Sequence, residues 1–261
     1  MLKIIYIFIF IFILFTNPLF PQTLIWQQLH APVASSVTGI TRLSNGEFYL
    51  GTSTRGVFKS TDNGNLWTDS YTGSSYIYIN EIYSTDDNNL FACGGSGIFQ
   101  FDWQTQEWVN LNAPQAGYVS IVVNSLGHIV AGSNFGIFRS ENSGNTWQAA
   151  STNVGTGYSL VCTTNDILFA GGEYGIYKSI DNGDTWTKVG LDGFEINDID
   201  IDNTDILYAN VFYRGQGIYR SQNLGADWEQ LNIGLTDQLT TTVAVDIQYI
   251  THSLMQVNPG K

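Results

Sequence analysis

The sequence is poor in the residues on which several kinds of chemistry depend. Its 261 residues include two cysteines, three histidines, two methionines, five prolines and ten lysines and arginines, against 23 aspartates and glutamates. With a formal charge of -13, such a surface repels phosphate backbones, which excludes nucleic acid as a partner. Cys93 and Cys162 lie far apart rather than in a C-x-x-C pair. Both therefore read as buried thiols acting as small apolar residues, and a disulfide would need the strands carrying them to be neighbours. His30, His128 and His252 are scattered, and neither an H-E-x-x-H helix nor a G-x-S-x-G elbow occurs. No metal site and no cofactor is expected. No segment has an amphipathic helical period.

Long hydrophobic runs are also missing, except at the start. Lys3 precedes an apolar stretch from Ile4 to Phe15, followed by a proline-containing polar break. That is the layout of a secretory signal, and it is short of the roughly 20 apolar residues that a membrane span needs. Residues 1–22 are read as a signal peptide, with an uncleaved anchor as the alternative, and 23–261 as a single domain. The location implied is secreted, periplasmic or cell-surface, with no stable membrane span beyond the leader, and a monomer is expected.

What is abundant is glycine, with 27 residues, together with aromatics and the turn formers Asn, Asp, Ser and Thr. This is the composition of short strands joined by tight turns. The strongest signal is internal repetition. "GVFKSTDNGNLW" from Gly56, "GIFQFDWQTQEW" from Gly97, "GIFRSENSGNTW" from Gly136, "GIYKSIDNGDTW" from Gly175 and "GIYRSQNLGADW" from Gly217 align without gaps. Their closing tryptophans, Trp67, Trp108, Trp147, Trp186 and Trp228, are 41, 39, 39 and 42 residues apart. A period near 40 fits a four-stranded propeller blade. The third copy shows the parse: "YVSIVV", "HIVAGS", "GIFRS" and "TWQAA" are strands separated by turn residues. The fold class is therefore all-β, a β-propeller with five recognisable blades and a partial sixth. That sixth blade would take a fourth strand from "WQQLHAP" at Trp26 and a first strand from "TTVAVDIQYI" at Thr241. Beyond it "THSLMQVNPGK" loses the pattern, so either the tail improvises the missing strands or the chain is truncated relative to a longer protein.

The residues closing each copy carry a family resemblance. "SIDNGDTW" from Ser179 matches the Asp-box, or BNR, repeat S-x-D-x-G-x-T-W at every specified position, through Ser179, Asp181, Gly183 and Trp186. The copy with Ser60, Asp62, Gly64 and Trp67 departs only at Leu66. Ser140, Asn142, Gly144 and Trp147 form another, and Ser221, Asn223, Gly225 and Trp228 a fourth, each with Asn for the aspartate. The second copy keeps only Trp108, with Phe101, Trp103 and Thr105 at the Ser, Asp and Gly positions. The octet reads as a turn clamp: a glycine of positive φ, and Ser and Asp or Asn side chains bonding their own turn. The tryptophan packs between blades. Asn in place of Asp keeps the acceptor and discards the charge, which a catalytic acid or metal ligand would not survive. The resemblance implies a propeller of the kind found in sialidases, xyloglucan-cleaving glycoside hydrolases and the sortilin receptor domain, with these boxes at the periphery, remote from the functional face. It specifies a fold and not a function.

Candidate chemistry is sparse. A sialidase would need an arginine triad, but Arg139 and Arg220 share a repeated position with Lys59 and Lys178, leaving Arg42, Arg55 and Arg214; the R-I-P segment is absent. An inverting glycosidase needs two facing carboxylates. The densest acids, Asp198, Asp200, Asp202 and Asp205, read as scaffold of a first strand and its turn, with calcium binding or catalysis as alternatives. Alternation places Asp198, Asp200 and Asp202 on one side of that strand. The loops joining strands two and three place Arg55, Phe135, Glu173, Tyr174, Tyr213 and Arg214 on one rim, where aromatics beside arginine make a protein- or glycan-contacting surface. The expected function is an exported, non-catalytic binding or scaffold module. The alternatives are a divergent or truncated glycoside hydrolase, sialidase- or xyloglucanase-like, and an assembly factor for a membrane complex.

Overall fold

The computed structural model describes residues 36–70, 78–151, 154–211, 216–233, 240–245 and 250–254, together with 10–11 and 27–28. After the paired segments β1 (Phe10–Ile11) and β2 (Gln27–Gln28), five four-stranded antiparallel sheets follow one another. Blade 1 is β3 (Val37–Arg42), β4 (Phe48–Thr52), β5 (Gly56–Ser60) and β6 (Thr68–Asp69). Blade 2 is β7 (Ile79–Ser84), β8 (Leu90–Gly94), β9 (Gly97–Asp102) and β10 (Glu107–Asn110). Blade 3 is β11 (Tyr118–Val123), β12 (Ile129–Ser133), β13 (Gly136–Ser140) and β14 (Gln148–Ser151). Blade 4 is β15 (Gly157–Cys162), β16 (Leu168–Gly172), β17 (Gly175–Ser179) and β18 (Thr187–Gly190). Blade 5 is β19 (Ile196–Ile201), β20 (Leu207–Val211), β21 (Gly217–Ser221) and β22 (Glu229–Gln230). The paired strands β23 (Thr240–Val245) and β24 (Ile250–Leu254) follow. Each blade is a simple meander in chain order, and no helix occurs among the described residues.

The second strand of each blade explains the packing. Leu90, Phe91, Ala92 and Cys93 are all buried because β8 is covered on both faces. Leu90 and Ala92 enter the core shared with blade 1, whereas Phe91 and Cys93 enter the core shared with blade 3. The same division repeats in blade 4, with Leu168 and Ala170 on one side and Phe169 on the other. The hydrophobic core is thus a series of seams between consecutive blades. The fourth residue of β16 is glycine for a packing reason: a Cβ on Gly171 would lie 2.7 Å from Ile196 Cγ2 of the next blade.

First strands are successive neighbours, from β3 beside β7 through to β19 beside β23. Val243 of β23 joins Tyr208 and Ile218 in a core cluster, so β23 occupies the inner position of a sixth unit. The tail that loses the repeat supplies its second strand, β24. The expected fourth strand from Trp26 corresponds to β2, which pairs with β1 and with neither β23 nor β24. Trp26 and residues 29–35, like residues 1–9 and 12–25, lie outside the described residues. Cys93 and Cys162 are both free; Cys93 is buried, but Cys162 is only half-buried, because it ends its strand at the mouth of a groove.

A meander fixes two faces. Turns joining strands one to two and three to four leave on one face; those joining two to three, and blade to blade, leave on the other.

Candidate functional site

In four blades the turn between strands three and four is closed by the same bonds. Ser60, Ser140, Ser179 and Ser221 each accept the N–H of the glycine four residues on at 2.9 Å. Each donates its hydroxyl to Asp62, Asn142, Asp181 or Asn223 at 2.7–3.1 Å. Those side chains accept the N–H of Leu66, Thr146, Thr185 or Asp227 at 2.8–2.9 Å. The glycines have φ of 83–85°, and the residue before each is left-handed too, at 54–58°. Trp147, Trp186 and Trp228 donate their indole N–H to the carbonyl of their own turn glycine at 3.1–3.2 Å. The Leu66 N–H is the main cause holding the Asp62 carboxyl below its usual range. Burial opposes ionisation of Asp181, but the Thr185 hydroxyl and N–H outweigh it and lower that carboxyl as well. These oxygens are spent within the turn.

Blade 2 differs. Phe101 is buried where the serines stand, and Asp102 caps a longer hairpin by accepting Gln104 N–H at 2.8 Å. The Trp108 indole N–H is buried and unpaired, as is that of Trp67 in blade 1, where the clamp glycine Gly64 is retained. Such an orphan donor costs about 1–3 kcal/mol.

Of the six rim residues expected from the sequence, Arg55, Phe135, Glu173 and Tyr174 are described. Phe135 and Tyr174 are 71% and 53% exposed. Glu173 accepts the Thr156 hydroxyl at 3.0 Å and raises the neighbouring Tyr174 phenol through a hydrogen bond. Arg55 is taken up within blade 1, 3.6 Å from Asp69 and over the Phe58 ring at 5.2 Å. Tyr213 and Arg214 lie outside the described residues.

The opposite face shows a second repeated device. The turn joining strands one and two in one blade is clasped to that of the next. Ser44 N–H donates to Asn88 Oδ1 at 2.8 Å. Ser125 donates both its N–H, at 2.8 Å, and its hydroxyl, at 2.5 Å, to Asp166. Thr164 does the same to Asp205, both bonds at 3.1 Å. Between blades 2 and 3 the pattern breaks: Asp86 occupies the donor position and Gly127, at φ 78°, the acceptor position. There a groove of about 700 Å³ opens, lined by Tyr83, Asp86, Asp87, Leu126, Gly127 and Cys162 among others. Sequence reasoning missed this site, whose signal was one glycine and one acid out of register with three other turns.

The inner strands carry a third repeat. Every first strand bulges before its third residue, which turns that side chain toward the next blade. Glu81 accepts Ile121 N–H at 2.6 Å, Ser120 accepts Leu160 N–H at 3.0 Å, Ser159 accepts Ile199 N–H at 3.2 Å and Asp198 accepts Val243 N–H at 3.0 Å. In blade 1 the residue is Gly39, where a Cβ would meet Ile82 N at 3.2 Å. Burial pushes the Glu81 carboxyl up to about 8, against its bonds to Ile121 and Ser120, and the charge of Asp198 adds to the rise. Burial also raises Asp198, despite bonds from Thr242, Val243 and Ser159. The acids clustered in β19 and the turn after it are therefore not gathered at one point. Asp198 ties the inner strand to β23, Asp202 caps its own turn by accepting Thr204 N–H at 2.8 Å, and Asp205 clasps blade 4.

No protein-family model matches the chain, and no curated protein does. Solved structures do. An ancestral GH74 enzyme superposes with a TM-score of 0.68 at 20% identity, covering 85% of this chain and 35% of that one, so the chain spans about a third of the enzyme's length. Virginiamycin B lyase from Staphylococcus aureus superposes with a TM-score of 0.67 at 14% identity over 85% of both chains. The extracellular domain of a putative one-component system from B. thetaiotaomicron gives 0.58 at 12% identity, covering 84% of this chain and 37% of that one. Together with the five consecutive four-stranded meanders and the seams between them, these likenesses establish the fold: the chain is a β-propeller.

Proposed function

We propose that the protein is an exported, non-catalytic β-propeller that acts as a binding or scaffold module, with its ligand held in the groove between blades 2, 3 and 4. The observation that carries this reading is the unclasped seam. Where Asp86 faces Gly127, a cavity of about 700 Å³ opens, within the size range of small-ligand sites. Three of the buried or rim carboxylates are engaged in the fold, Glu81 and Asp198 bonding the neighbouring blade and Glu173 bonding Thr156, whereas Asp86 and Asp87 line the groove itself and are the acids that a hydrolase would have to use. Likeness to the extracellular domain of a putative one-component system supports export, as does the signal-like leader. The opposite rim, with Phe135 and Tyr174 exposed, supplies a second contact surface.

The test is turnover. The purified protein, assayed on sialosides and β-glucans, is expected to release no product. Hydrolysis abolished by Asp86→Asn, Asp87→Asn or Glu173→Gln would replace this reading with that of a glycoside hydrolase.

A further inference from the structure

Blade 2 is the one blade of five whose outer turn has lost the Ser–Asp–Gly clamp, and in its place an aromatic cluster reaches the surface through Trp103. Phe101 stands at the centre, with ring centroids 4.8 Å from Trp103, 5.3 Å from Trp108 and 6.2 Å from Tyr49. Trp103 meets Phe101 at 79° and Tyr49 at 89°, and its indole N–H donates to Asn88 O at 3.2 Å. The ring is thus held on two sides while 38% of the residue remains exposed. Beside it lies a hollow of about 390 Å³ whose wall includes the polar side chains of Asn89, Gln100, Asp102 and Gln104 over Val109 and Leu111.

We infer that this edge of blade 2 is a platform for a neutral saccharide, with Trp103 as the stacking surface. A pre-positioned indole offers a large apolar face at little entropic cost. The C–H face of a pyranose ring is the complementary surface, and its hydroxyls match amides that both donate and accept and a carboxylate that accepts. No lysine or arginine lines the hollow, and the chain carries a formal charge of -13. Acidic sugars are therefore disfavoured and neutral ones selected. Asn89 lines this hollow and the larger groove alike, so an extended chain of sugars can run from Trp103 into the mouth of the groove. The platform lies on the clamp-bearing face, away from the Phe135 and Tyr174 rim.

This inference deepens the binding-module reading by naming its ligand class, and the two fail separately. The probes are cello-, chito- and mannohexaose, with a hexameric polyuronate as the charged counterpart, titrated against the whole protein by calorimetry and tryptophan fluorescence. At least one neutral hexaose should bind saturably, and the polyuronate should not. Trp103→Ala should weaken binding about tenfold or more, whereas Trp103→Tyr, which keeps a stacking face, should stay within about threefold. Should Trp103→Ala fail to fold, Gln104→Ala, on an exposed turn, should still weaken binding severalfold. Failure of all three neutral hexaoses to bind, or binding left intact by both alanine variants, overturns the platform. If closing the groove with Asp86→Ser and Gly127→Asp abolishes binding while Trp103→Ala does not, the platform is lost and the binding module stands.

Discussion

Asn223 and Asp227 make, with donor and acceptor exchanged, the side-chain bond that Thr185 and Asp181 make one blade earlier. Asn223 Nδ2 donates to Asp227 Oδ2 at 2.9 Å, whereas Thr185 Oγ1 donates to Asp181 Oδ2 at 2.5 Å. In blade 3, Asn142 Nδ2 donates to Thr146 Oγ1 at 2.8 Å. The acid is therefore replaceable only where its partner permits. Asn142→Asp should be nearly neutral, because Thr146 can turn its hydroxyl around. Asn223→Asp sets two carboxylates against each other and should cost about 1 kcal/mol at neutral pH, a loss that shrinks as acid protonates them. Urea denaturation of both variants at pH 7 and pH 4 checks this; equal costs at pH 7 would refute the exchange.

These turns were legible in the sequence because their bonds close within an octet, so residue type and spacing report them directly. The seams were not. Ser125 and Asp166 meet from 41 residues apart, and each alone looks like any turn former. The bulge before Asp198 was equally hidden, since plain alternation reads straight through it and groups Asp198 with Asp200 and Asp202. The blade count followed from period, whereas the groove arises from one pair that fails to form, which only neighbouring turns in space reveal. Of the six rim residues expected, the structure brings Glu173 beside Tyr174 and ties Arg55 into its own blade.

Restoring the missing clasp should stabilise the protein. Gly127 has φ 78°, close to the 60° and 62° of Asp166 and Asp205, so aspartate is tolerated there. Gly127→Asp alone faces Asp86 with a second carboxylate and should destabilise. Combined with Asp86→Ser it should recover that loss and gain about 0.5–1 kcal/mol, a favourable coupling between the two changes. A double-mutant cycle measured by thermal unfolding decides it; strictly additive effects would mean that no clasp forms.

The two left-handed residues of each clamp should respond in opposite directions. Gly144 has φ 83°, and a Cβ there would lie 2.8 Å from the Leu111 side chain, so Gly144→Ala should cost about 2–4 kcal/mol. Ser143, at φ 55° and exposed, meets no such obstacle, and blades 1 and 4 carry Asn63 and Asn182 at this place. Ser143→Asn should add about 0.5 kcal/mol, because asparagine accepts the left-handed region more readily. Denaturant midpoints are the readout, and a stabilised Gly144→Ala protein would contradict the geometry.

Glu81 makes stability depend on pH in an unusual direction. Its carboxyl, ordinarily near 4.5, is pushed up to about 8 by burial, so the folded state retains a proton that the unfolded chain has released. The contribution is fully present below the unfolded value and is lost as pH rises through about 8. Asp198 shifts in the same direction, whereas Asp62 and Asp181, held low by their turns, favour folding above their unfolded values. Glu81→Gln keeps an acceptor for Ile121 N–H and removes the titration. Relative to the natural protein it should gain stability steadily between pH 5 and pH 8 and show no gain below pH 4.5. Some slope should persist in the variant, because Asp198 still titrates. Urea midpoints across this range test the assignment: parallel curves for the two proteins would place the titrating proton elsewhere than on Glu81.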